Sequence, residues 1–95
     1  MLEAAGEGRW RLRGELTMRQ CAALSAPLAA AARRGGEVDL AGVTAADSAA
    51  LALLLEARRA AREAGHDLAF SGVPSGMLTL ARLYGVEALL ERSAR

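Results

Sequence analysis

The chain has 95 residues, 53% of them hydrophobic and 24% charged, which fits one globular domain and leaves no room for a second. Its 12 basic residues, all arginine, oppose 11 acidic ones for a net charge of +1, too little to hold nucleic acid or an anionic membrane by bulk electrostatics. One cysteine, Cys21, and one histidine, His66, exclude an intrachain disulfide and every multi-cysteine zinc site, and leave little from which to build a nucleophilic relay.

Leu2 to Ala5 reads as a short strand, and the Gly6-Glu7-Gly8 turn after it predicts an N-terminal hairpin. Its second arm alternates strictly: Trp10, Leu12 and Leu16 fall on one side, Arg9, Arg11, Arg13 and Glu15 on the other, as in a half-buried strand with a solvated face. The arginine face carries no aromatic residue for base stacking and the whole-chain charge is near zero, so no nucleic-acid surface is expected.

Thr17-Met18-Arg19-Gln20 has the spacing of a capping box and starts a helix near Met18. Cys21, Leu24, Leu28 and Ala31 form its apolar stripe, which makes Cys21 a packing residue, and Arg33-Arg34 with Gly35-Gly36 ends it. Pro27 interrupts the pattern, so the helix either kinks there or gives way to a second helix starting near Ser25.

Glu37-Val38-Asp39-Leu40 is a short strand, and Ala41 to Ala46 reads as a loop leading to Asp47-Ser48. Ala50, Leu53, Leu54, Ala57, Ala61 and Ala64 then mark one face of a long helix that Gly65 closes, leaving His66 just beyond its end as a surface residue. Leu68 to Ser71 is a further buried strand. Ser75 caps a last helix bearing Leu78, Ala81 or Leu80, Leu83 and Tyr84, closed by Gly85, and Val86 to Leu90 form a short apolar tail that docks on the sheet or on that helix. The alternation predicts a single α/β domain over residues 1–95: a mixed sheet with an N-terminal hairpin, parallel later strands and three to four helices.

Asp47-Ser48 is the one place where the pattern points to function. A hydroxyl at a helix start faces outward-pointing N–H groups and the positive end of the dipole, where an added phosphate would be stabilised. The same two residues also serve as a plain N-cap, worth about 0.5–2 kcal/mol. No glycine-rich phosphate loop and no nucleophile elbow accompany them, so no catalytic residue is assigned and no cofactor or metal is expected. The longest apolar run, Ala49 to Leu55, is far short of the roughly 20 residues of a membrane span, and the acidic N-terminus lacks a signal layout. A cytoplasmic product without direct membrane insertion is expected.

Gly14-Glu15-Leu16-Thr17, Val38 to Val43 and Asp47-Ser48-Ala49-Ala50-Leu51-Ala52-Leu53-Leu54-Leu55 together resemble the STAS domain, the fold of bacterial anti-sigma factor antagonists. Leu80 to Leu90 resembles the MlaB-type subunits of the Mla phospholipid-transport ABC complex, which end soon after the third helix. The resemblance implies a non-catalytic subunit that binds an MlaF-like ATPase and, through it, an MlaE-like permease, peripheral to the inner membrane, in a complex that maintains outer-membrane lipid asymmetry. Ser48 matches the family's Ser or Thr at the ATPase contact, and also the residue phosphorylated in the antagonists, which makes a phosphorylation-controlled antagonist the alternative. The implied contact surface comprises Glu15, Thr17, Thr44, Asp47, Ser48, Ala49, Ala50 and Leu51. Where many relatives carry glycine after the Ser or Thr, this chain has Ala49 and Ala50, whose methyl groups narrow access for a kinase.

Overall fold

Alternation in the second strand sets the plan of the molecule. In the computed structural model, which describes residues 1–90, Arg9–Leu16 forms β2, with Leu12 and Leu16 fully buried and Arg9, Arg11, Arg13 and Glu15 exposed. β1 (Leu2–Ala4) pairs with it antiparallel through the expected hairpin, while β3 (Gly36–Ala46) pairs with it parallel and β4 (Leu68–Ser71) pairs parallel with β3. The sheet order is β1-β2-β3-β4. Each parallel strand is followed by a helix: α1 (Met18–Ala32), α2 (Ser48–Glu63) and α3 (Ser75–Leu83).

One face of the sheet carries the core. Leu12, Leu16, Val38, Leu40, Leu68 and Phe70 meet Cys21 and Leu28 of α1, Leu51, Leu54, Ala57 and Ala61 of α2, and Met77 and Ala81 of α3 in a single cluster. On the other face the charges pair across strands, Arg9 with Glu37 at 3.7 Å, Arg11 with Asp39 at 3.8 Å and Arg13 with Glu3 at 3.2 Å. Exposed pairs of this kind add little stability each. They keep the face wet and charge-balanced.

The structure corrects the expected loop at Ala41 to Ala46. β3 continues through it, but two register shifts against β2 place extra residues in β3 and break its period of two, so Leu40 and Val43 rather than Leu40 and Gly42 point inward. At the first shift the Asp39 Oδ1 accepts the Ala41 N–H at 2.9 Å. Close to the start of β3 the backbone also approaches the hairpin turn: a Cβ on Gly36 would lie 2.1 Å from the Gly8 carbonyl oxygen, so only glycine fits.

Pro27 neither breaks α1 nor starts a second helix. It sits on the solvent side, and so does Ala23, whose carbonyl loses its helical donor there and meets water instead. α2 ends as expected, with Gly65 at φ +84° and the His66 and Gly65 amides donating to the Ala61 and Arg62 carbonyls. In α3 the cap is Pro74 and Ser75 is the first helical residue. Its buried residues are Met77 and Ala81, whereas Leu83 and Tyr84 are exposed. A 3₁₀ turn at Glu87–Leu89 follows, and Leu90 closes onto the core as the expected docked tail. The domain was expected to run to residue 95; residues 91–95 lie outside the described residues. No helix among the described residues is long and apolar enough to cross a membrane.

Candidate functional site

Because β2, β3 and β4 run parallel, α1, α2 and α3 all start at the same end of the sheet. Register brings the first two starts together: Leu16 pairs with Ala46, and the Asp47 N–H donates to the Leu16 carbonyl at 3.4 Å. Thr17 and Asp47, the next residues, are the N-caps of α1 and α2.

The two caps work differently. Thr17 and Gln20 form the expected capping box, the Gln20 Oε1 accepting both the Thr17 N–H at 3.3 Å and the Thr17 hydroxyl. Asp47 caps α2 by accepting the Ala49 N–H on Oδ1 at 2.9 Å. With the cap supplied by Asp47, Ser48 is the first helical residue, exposed, and its hydroxyl makes no hydrogen bond among the described residues. The hydroxyl is therefore free to meet a partner.

Beneath the two helix starts lies Cys21, buried in the core as expected of a packing residue. Burial pushes its thiol up from its ordinary pKa, and the nearby Asp47 carboxylate pushes it further in the same direction. This thiol stays protonated and unreactive at neutral pH.

Glu15 is exposed near the end of β2, opposite Ala45, and Thr44 is exposed on β3. Ala49 is half-buried at the rim. Two of the expected contact residues, Ala50 and Leu51, are instead turned into the core, because they follow the exposed Ser48 by half a helical turn or more. The surface that remains joins Glu15, Thr17, Thr44, Asp47, Ser48 and Ala49.

Two features escaped the sequence reading. Met18, the residue after the Thr17 cap, is 74% exposed at the same end of the molecule. Its position three residues before Cys21 continues the apolar stripe, but at the first residue of α1 its side chain stays exposed. Beside Thr44, a cleft of about 230 Å³ opens between the end of β3 and the start of α3, lined by Val43, Ala45, Ala46, Pro74, Gly76 and Met77. Reading Ala41 to Ala46 as a loop hid it.

The outer face of α1 extends this surface. Between Arg19 and Arg33 the helix carries no charged residue, and Ala22, Ala23, Ser25, Ala26, Pro27 and Ala30 are all exposed. Solvated helix faces ordinarily carry charge.

Comparison with known proteins agrees with this architecture. The anti-sigma factor antagonist SpoIIAA in its unphosphorylated form superposes with a TM-score of 0.67 over 87% of this chain and 81% of that one, at 17% sequence identity, a likeness of fold. No curated protein sequence matches significantly. The family model described as "Mlab, STAS domain" matches residues 2–91, nearly the whole length, and on that match the chain belongs to the Mlab STAS domain family.

Proposed function

We propose that this protein is the non-catalytic STAS subunit of an Mla-type phospholipid-transport ABC complex, docking on the ATPase subunit with the paired helix starts and supporting its assembly and activity. The permease is reached through the ATPase, and the protein sits in the cytoplasm against the inner membrane by way of these partners. One observation carries the reading: the starts of α1 and α2, with exposed Met18 and the unbonded Ser48 hydroxyl, are brought together at one end of the sheet, and the outer face of α1 carries no charge. A surface of small residues with one large apolar side chain suits burial against a folded protein partner. Glu15 and Thr44 form its polar rim.

Affinity purification from the native host tests the proposal. Tagged wild-type protein should retain an ABC ATPase and a membrane permease. Ser48→Glu should lose both while keeping its fold, since a charge placed in a desolvated contact is costly. Equal retention by Ser48→Glu would move the contact elsewhere.

The exposed Ser48 hydroxyl at the dipole's positive end favours a second reading, an anti-sigma factor antagonist switched by phosphorylation. Incubation with a kinase-type anti-sigma factor and ATP should then add one phosphate at Ser48. In the transport reading no phosphate is added and the ATPase is the protein retained.

A further inference from the structure

At the opposite end of the sheet from the helix starts, the β1–β2 turn and the C-terminal end of α1 enclose a cleft of about 310 Å³ lined by Gly6, Glu7, Gly8, Trp10 and Arg34. That volume is at the lower end of small-molecule sites. Two of the lining residues, Trp10 and Arg34, carry donor groups that no acid of the described residues pairs with. The Trp10 Nε1–H is shielded from solvent and has no hydrogen-bond partner. The Arg34 guanidinium lies over the Trp10 ring, 5.8 Å from its centroid, and forms no ion pair among the described residues, although Glu7 lines the same cleft. Buried indole N–H groups ordinarily find an acceptor, and a planar guanidinium recognises carboxylates through parallel hydrogen bonds.

We propose that this cleft binds a small monocarboxylate. One carboxylate oxygen accepts from Trp10 Nε1, the other from Arg34, and the apolar end of the ligand rests against the hairpin turn. Arg34 is exposed at the helix end, so its guanidinium is free to turn toward the ligand, and reaching the shielded Trp10 Nε1–H requires the cleft wall to give on that side. The turn itself is held in place where the Glu37 N–H donates to the Gly8 carbonyl at 3.0 Å, so the cleft is fixed on the turn side. Glu7 is the one acid in the lining and opposes a bound anion, which limits the site to ligands of single charge. This site uses none of the residues of the partner surface and does not depend on it.

Trp10 is the chain's single tryptophan, so its indole gives one resonance in a proton–nitrogen correlation spectrum. Titration of the ¹⁵N-labelled protein with sodium propionate should move that resonance downfield and saturate. Propionamide, which lacks the charge, and sodium chloride at matched ionic strength should leave it in place. Arg34→Gln should weaken propionate binding by about tenfold or more, Arg34→Lys by less, and Glu7→Gln should tighten it. An indole resonance that ignores propionate, or that responds alike to propionate and propionamide, overturns the proposal. So does wild-type affinity in Arg34→Gln.

Discussion

Thr17 and Asp47 cap neighbouring helices from adjacent strand ends, and the Asp47 N–H is itself bonded to the residue before Thr17, Leu16. The two caps are thus held side by side by a backbone contact and not by each other's side chains. Replacing Asp47 by Ala frees the Ala49 N–H and should lower stability by about 0.5–2 kcal/mol, while Asp47→Asn should keep most of it. Urea denaturation at neutral pH checks both. Thr17→Ala should cost a similar amount by opening the box with Gln20.

Cys21 ties these caps to pH. Its folded-state pKa is raised by burial and then by Asp47, so its contribution to stability is complete below the unfolded thiol's ordinary value of 9.0. That contribution is lost as the pH climbs through the folded-state value. Stability should therefore fall more steeply above about pH 9 in wild type than in Cys21→Ala. Denaturant midpoints measured across that range read the difference, and Asp47→Asn should reduce it in part.

The core mixes large side chains with alanines of the helices, and the two kinds fail in opposite ways. Leu54→Ala empties a fully buried site and should cost about 2–5 kcal/mol. Ala61→Leu forces extra volume into a fully buried position and should cost about 1–3 kcal/mol. Equilibrium unfolding of the two variants measures both losses.

Two glycine replacements should differ in sign. Gly36→Ala drives a methyl into the Gly8 carbonyl at a backbone φ of +114° and should lower stability by more than about 2 kcal/mol, or prevent folding. Gly76→Ala meets open space within α3 and should raise stability by up to about 1 kcal/mol. Thermal melts of the pair against wild type decide this.

What the sequence made legible was what local rules govern. The Arg9 to Leu16 alternation, the Thr17–Gln20 box, the Asp47 start of α2 and the Gly65 stop each depend on residues a few positions apart. Long-range pairing hid the rest. β3 was cut short because its shifts against β2 and the Asp39–Ala41 bond have no period of their own in the chain. Pro27 is tolerated because the Ala23 carbonyl it leaves without a donor lies on the solvent side, which depends on how α1 lies on the sheet. The expected helix starts at Thr17 and Asp47 do lie side by side, whereas Ala50 and Leu51, next to Ser48 in sequence, are buried and are not its neighbours on the surface. In α2 the direction of the side chain changes by about 100° per residue, so two positions after an exposed Ser48 the chain already faces inward.

The bare side of the sheet has a consequence for assembly. With Arg9, Arg11 and Arg13 each matched to an acid of the same face, the arginines of that side leave little unspent charge for another protein to use. On the docking proposed at the helix starts, a molecule with one adhesive end and a charge-balanced back finishes a stack and does not extend it.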